Sequence, residues 1–590
     1  MSTRPRRLLL GLTLVAGAAG CAESDHRSPL SVPLPGEIGD GFSSTARVIP
    51  PLVRAESPPP PIGASTLAID GRRALVSDSD RDRVLLVDLD TRALVTTWSF
   101  PGAEPGRLAF APDGDHAWVV LRQGGELARL DLGGGVDHRW SPCPSPRGVA
   151  VAPDGAVHVA CLGGLLVSAD ADGRETARRR LAPDLRDVIV ADDGALWISR
   201  LRSAELYRID ARGEPRLVSL DEHASIGRGE LRGFRPSVAW RLRPAPDGGA
   251  LVVHQLAGKG EVEVDTPSGY GGFGGCSPGI VATGVSRVDP DGEVVEAVVT
   301  AQAVLAVDGV ARPDGLTLAA PGNRGLRTTA PTISRSGGCD GVDGDDGRQV
   351  VAVELDDRGD LWRFSREPAE LVGPDETVIT LGGPSVFDTG HDLFHVDAGA
   401  GIACASCHPE GGEDGQIWTF SDTGPRRTQP LHGGLKGSEP FHWAGDLGDF
   451  GALAGEVFAR RMGGPMVPRA YIGAWLDWIE TVPMPIADLG ADPIAAERGR
   501  ILFEDPTVGC ATCHSGDRLA DRGTWDVGTG GALQTPTLRN IALRGPFMHD
   551  GCAPGLVDRF GACGGGDDHG RVSGLDRAAI TDLVAYLQTL

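Results

Sequence analysis

Cys404-Ala405-Ser406-Cys407-His408 and Cys510-Ala511-Thr512-Cys513-His514 are two copies of Cys-x-x-Cys-His. This is the spacing of a c-type haem attachment site. Two thiols reach one porphyrin, and the adjacent imidazole swings onto its iron. One copy could arise by chance or hold zinc. Two copies, each with its own flanking signature, predict two covalently bound c-type haems. Cys404, Cys407, Cys510 and Cys513 are then the attachment residues, and His408 and His514 the proximal iron ligands.

Covalent haem attachment in bacteria takes place outside the cytoplasm, and the N-terminus reads accordingly. Arg4, Arg6 and Arg7 precede an apolar run from Leu8 to Val15, and Ala18-Ala19-Gly20 leads into Cys21. That run is too short for a membrane span and has the layout of a secretory signal. Its ending resembles a lipobox, so residues 1–21 are expected to be a lipoprotein signal, with Cys21 lipidated in the cell envelope or periplasm. Setting aside Cys21 and the haem cysteines leaves six of the eleven: Cys143, Cys161, Cys276, Cys339, Cys552 and Cys563. In an oxidising compartment they suggest three disulfides, and neighbour-to-neighbour pairing is the expectation. The formal net charge of −24 argues against nucleic acid and against a basic membrane-binding face. Membrane contact is expected only through the lipid anchor.

Between the signal and the first repeat, residues 22–61 are rich in Pro and Ser and suit a linker. From residue 62 a turn phrase recurs: Ile69-Asp70-Gly71, Pro112-Asp113-Gly114, Pro153-Asp154-Gly155, Asp192-Asp193-Gly194, Pro246-Asp247-Gly248 and Pro313-Asp314-Gly315. Asp-Gly marks a tight turn, and an alternating strand such as Val157-His158-Val159-Ala160 follows it. Early copies are spaced about 40 residues apart, one four-stranded blade per copy. Residues 62–370 therefore predict a β-propeller of about seven blades. Its histidines are scattered, and the sequence marks it as a scaffold or docking surface.

Beyond about residue 373 the pattern changes. Apart from Met1, every methionine lies here, and helical spacing replaces alternation, as in 495–504 and 575–590. The expected class is multidomain: an all-β propeller, then two mainly α cytochrome c-type haem domains, residues 371–486 and 487–590.

This C-terminal part resembles the bacterial di-haem cytochrome c peroxidases and the di-haem enzymes that mature methylamine dehydrogenase. The residues carrying the resemblance are Ile402 to Pro409 with Gly411 and Asp414-Gly415, then Thr535-Pro536-Thr537-Leu538-Arg539-Asn540, then Gly545-Pro546-Phe547-Met548-His549-Asp550-Gly551. The propeller lies outside it. The resemblance implies an oxidoreductase reducing hydrogen peroxide at the first haem, with electrons relayed through the second from a small cytochrome c or cupredoxin. O–O cleavage calls for a distal acid/base group. His442 is the candidate, with His432 competing. Glu456 is the candidate carboxylate, with Glu439 and Glu410 as alternatives. Trp443, in Phe441-His442-Trp443-Ala444-Gly445-Asp446, matches the family's inter-haem tryptophan. For the sixth ligand of the second haem, His569 is the first choice and Met548 the second. Arg539 is expected to pair with a propionate. Related enzymes hold Ca2+ between their haem domains, which this sequence leaves open. A maturation-type oxidase and a non-catalytic electron-transfer cytochrome are the other readings.

Overall fold

The computed structural model describes residues 51–590, apart from 211, 228–229, 272–277, 301–302, 314, 330–341 and 345–346. The expected signal, Cys21 and the Cys276–Cys339 pair lie outside the described residues.

Alternating apolar residues punctuated by Asp-Gly turns fold into successive antiparallel meanders. Gly114 and Gly155 close two of these turns at φ 75° and 88°, conformations that a Cβ disfavours. Of the nine sheets among the described residues, seven form the blades. Their first strands are Thr66–Asp70, Pro105–Phe110, Pro146–Val151, Leu185–Val190, His223–Gly227, Asp308–Arg312 and Val350–Leu355. Six sheets have four strands; the fifth has five, with Glu230–Pro244 facing the neighbouring sheets. Each inner strand packs on the next, and Val350–Leu355 returns to Thr66–Asp70, closing a propeller-like ring. Apolar faces fill the gaps between blades, for example Trp118 against Val149, Val159 and Val167. Cys143–Cys161 staples the third blade and Cys552–Cys563 the C-terminal region, the pairings expected for those four cysteines.

The helical region repeats one small unit twice. Helix α1 (Thr389–His395), the Cys404–Cys407 turn (α2), a short helix α3 (Phe450–Leu453) and α4 (Arg469–Ile479) build the first. Helix α5 (Pro493–Glu504), the Cys510–Cys513 turn (α6) and α7 (Arg577–Leu587) build the second. Asp388 caps α1 by accepting from the Gly390 and His391 N–H groups. In both units the flanking helices cross at a glycine. A Cβ on Gly390 would lie 2.6 Å from the Ala474 carbonyl oxygen of α4, and one on Gly499 would strike the Asp582 carbonyl of α7. Gly499→Ala is therefore expected to cost about 1–3 kcal/mol despite its better helix propensity, because backbone must move. Urea unfolding followed by the absorbance of the second haem checks this.

The propeller and the helical region are knitted together. The end of the Pro-rich segment is not a loose tether: residues 51–62 run along α1 and α4. Val53 and Thr389 exchange hydrogen bonds, the Trp478 indole donates to the Pro59 carbonyl at 2.9 Å, and the Ile62 N–H donates to His395 Nε2 at 3.1 Å. Among the described residues no helix is long and apolar enough to cross a membrane.

Candidate functional site

The cysteines free of disulfides among the described residues are Cys404, Cys407, Cys510 and Cys513, the four of the two motifs. Burial pushes the Cys404 thiol up to about 12 and Cys407 well above its ordinary value. After each motif the histidine is anchored in the same way. His408 Nδ1 stands 3.2 Å from the Gly412 carbonyl, and His514 Nδ1 stands 3.1 Å from the Leu519 carbonyl. A ring whose Nδ1–H is held by a carbonyl offers a lone pair at Nε2, the arrangement a metal-ligating histidine needs. Burial holds both neutral, His408 at about 4.

The two pockets then differ. In the second, the His569 ring faces His514 with centroids 6.3 Å apart and planes tilted by 40°. His569 Nδ1 is anchored on the Gly564 carbonyl at 3.2 Å, and burial and Arg559 hold the ring neutral at about 3. Iron at about 2 Å from each Nε2 would set two ligating imidazoles about 6 Å apart, so this pair fits an axial ligand set. Of the two candidates for this position, His569 is the one whose ring faces His514. Met548 instead sits with φ 70° in the turn between Phe547 and Ala553.

The first pocket opens into a cavity of about 320 Å³ bordered by Cys404, Cys407 and His408. Its apolar wall includes Ile402, Phe441, Phe450 and Trp475, and its polar wall includes Arg426, Arg518, Arg522 and Arg539. Four guanidinium groups beside an apolar slot suit a flat apolar group that carries carboxylates. The residues present thus fit the haems the motifs imply.

His442 borders this cavity, its Nδ1 3.3 Å from Asp446 Oδ1, on a backbone with φ 68°. Glu456 does not. Its carboxylate is gripped by Arg460 and Arg461, and those contacts hold it down to about 2. A carboxylate so stabilised is not a proton donor near neutral pH, so the distal role expected for Glu456 is corrected. His432, the competitor of His442, lies against the His408 loop, its N–H donating to the Gly411 carbonyl at 2.6 Å. Trp443 lies between the units. Its indole donates to the Arg427 carbonyl at 2.7 Å, its own carbonyl accepts from the Gln534 N–H at 2.7 Å, and its ring meets His549 at 6.2 Å. Among the described residues no group of three or more His, Cys, Asp or Glu stands ready for a metal ion.

Sequence reading missed the propeller's axis. Arg107 pairs with Asp187 at 2.6 Å, Arg243 with Asp308 at 2.8 Å, and Arg243 also with Glu354 at 2.6 Å, linking blades two, four, five, six and seven. Burial opposes ionisation of Asp187, yet Arg107 and Arg241 hold it at about 2. Into this basic end the His408 loop inserts Glu410, 2.6 Å from both Arg122 and Arg186 and 3.7 Å from Arg147. Glu413 joins Arg202 of the propeller at 2.9 Å to Arg427 and lies 3.6 Å from Arg544. One signal was available: an arginine recurs early in inner strands, in Gly106-Arg107, Pro146-Arg147 and Leu185-Arg186.

No protein-family profile matches the chain. Hydrazine synthase subunit gamma of Kuenenia stuttgartiensis is 30% identical, over 32% of this chain and 72% of that one. Methylamine utilization protein MauG of Methylorubrum extorquens is 32% identical over 17% of this chain and 35% of its own length, so the chain spans about a third of it. Among solved structures, Kuenenia stuttgartiensis hydrazine synthase aligns with TM-score 0.42 at 15% identity, over 57% of this chain and 100% of that one. A streptogramin B lyase aligns with TM-score 0.39 at 15% identity, over 53% of this chain and 93% of its own. On the sequence relationship, the chain belongs to the di-haem cytochrome c family that includes hydrazine synthase subunit gamma, a family of haem redox proteins.

Proposed function

We propose that this protein is an exported di-haem c-type peroxidase, reducing hydrogen peroxide at a first haem held by Cys404, Cys407 and His408. Cys510, Cys513, His514 and His569 would hold the second haem, which would supply an electron relay. The observation that supports the reading is the contrast between the two motif histidines: His514 faces a second imidazole with ring centroids 6.3 Å apart, whereas no imidazole is paired with His408 among the described residues. Haem, when bound, supplies an iron site for a small ligand in the open pocket and an electron store in the closed one. Trp443 bridges the two units between them. His442, with Asp446 behind it, stands at the cavity wall where a proton must be held. Peroxide becomes two waters by taking up two electrons and two protons, the electrons coming from a small cytochrome c or cupredoxin. The acidic surface suits a basic donor.

A small nitrogen compound is the second reading, favoured by the likeness to hydrazine synthase subunit gamma. Low-temperature EPR of the haem-loaded protein, before and after peroxide, tests the first. One high-spin and one low-spin ferric signal are expected, the high-spin signal alone disappearing with peroxide, together with donor-dependent turnover. Two low-spin signals indifferent to peroxide would leave an electron-transfer cytochrome. A high-spin signal that responds to hydroxylamine but not to peroxide would favour the nitrogen substrate.

A further inference from the structure

The fifth blade carries an insertion after Ala250–Gly258 that reaches the helical region, and its residues Tyr270 and Ile280 border the first cavity. Glu261–Val262 adds in parallel to the strand Ile417–Phe420 of the helical region. The Ser421 N–H donates to the Val262 carbonyl at 3.0 Å, Ser268 N–H to the Arg460 carbonyl at 2.7 Å, and Tyr270 N–H to the Arg461 carbonyl at 2.9 Å. These bonds span far-apart stretches of chain and fix Tyr270 where it borders the cavity together with Cys407 and His408.

The side chains around it form a built polar site. The Tyr270 ring stacks on Phe420 at 5.9 Å with planes 28° apart. Arg461 lies over the same ring, 5.9 Å from its centroid, and its Nη1 donates to the phenol oxygen at 3.2 Å. Because Arg461 donates to that oxygen, the phenol's own hydrogen is left for another acceptor. Arg461 is itself held by Glu456, its Nε 2.7 Å from Oε1. It ends the π-helical turn Ala454–Arg461, a form enriched at functional sites.

We propose that Tyr270, supplied by the propeller insertion and polarised by Arg461, is a catalytic hydrogen-bond donor to a small oxygen ligand bound in the first haem pocket. This rests on the reading of that pocket as an open haem site. When peroxide is reduced to two waters, the O–O bond breaks and negative charge grows on the departing oxygen. A preorganised phenol O–H beside a guanidinium stabilises that charge. Burial pushes the phenol up to about 12, so it keeps its hydrogen throughout the working range. Glu456 becomes a positioning residue, acting through Arg461. The propeller is thereby part of the reactive site rather than only a scaffold.

The test is Tyr270→Phe in the full haem-loaded chain, which keeps the ring stack and removes one oxygen. Three readouts are taken: donor-dependent peroxide turnover, cyanide affinity of the ferric first haem, and the C–O stretch of its ferrous CO complex. Turnover is expected to fall about 100-fold. Cyanide is expected to bind about tenfold more weakly, and the C–O stretch to move to higher frequency, as one hydrogen bond to the ligand is lost. The low-spin signal of the second haem should stay as it is. If wild type and variant share the same cyanide affinity and C–O stretch, the role of Tyr270 is overturned while the open pocket stands. If the wild-type first haem binds neither cyanide nor CO, the open-pocket reading fails, and the role of Tyr270 with it.

Discussion

Replacing His569 by alanine is expected to abolish the low-spin ferric signal of the second haem, while leaving the first haem's spectrum unchanged. The expectation rests on three coincident features: a 6.3 Å ring separation from His514, an Nδ1 anchored on a backbone carbonyl, and an imidazole that burial keeps neutral. Each is a requirement for a second axial nitrogen, and surface or core histidines rarely meet all three. The reduction potential should rise, since losing a strong nitrogen donor disfavours the ferric state; a change on the order of 100 mV is within what axial ligands control. His569→Met serves as a second variant, because thioether ligation also raises the potential while keeping the iron low-spin. EPR and a spectroelectrochemical titration read both effects. An unchanged low-spin signal in the alanine variant would hand the ligand role to another side chain.

Glu410→Gln carries the second large effect, on stability. Glu410 is a buried carboxylate from the His408 loop that faces Arg122, Arg186 and Arg147 from two blades and the strand starting a third. Burial opposes its ionisation, but the arginines win and pull it down to about 2. Removing the charge leaves buried guanidinium groups uncompensated, which typically costs about 3–5 kcal/mol. A carboxyl group with a depressed folded-state value adds stability above its unfolded value and loses it as pH falls. The gap between wild type and variant should therefore be full above pH 4.5, the ordinary value, and should close as pH drops toward about 2. Urea midpoints at pH 7 and pH 3 measure this. Equal midpoints at pH 7 would mean the pair contributes nothing net. The same variant should disturb the first haem, because Gly412, two residues on, anchors His408 Nδ1.

Much of this molecule is readable along the chain because the relevant constraints are local. A haem-binding pentapeptide must place two sulfurs and an imidazole on one porphyrin, so its spacing is visible without any fold. Asp-Gly turns announce their own backbone geometry, and the repeat length follows from four strands per blade. The pairs Cys143–Cys161 and Cys552–Cys563 span 18 and 11 residues, short enough that neighbours find each other. The nearness of His569 to His514 was suggested only by its place in the region where no methionine remained.

The interior of the site was not legible, and the reason is distance along the chain. Glu410 meets Arg122 across 288 residues and Arg186 across 224, contacts that exist only because the propeller closes into a ring and presents its axis to the His408 loop. Tyr270 reaches Arg461 across 191 residues, through an insertion that in sequence is merely rich in glycine. Glu456 read as the candidate distal carboxylate, but Arg460 and Arg461 on its own turn hold its carboxylate. The sequence by itself determined the cofactor anchors, the blade repeat and the two helical units, since each is written in residues a few positions apart. Only the tertiary structure decided which side chains surround the open pocket, because burial and charge pairing there depend on surfaces that meet after each part has folded.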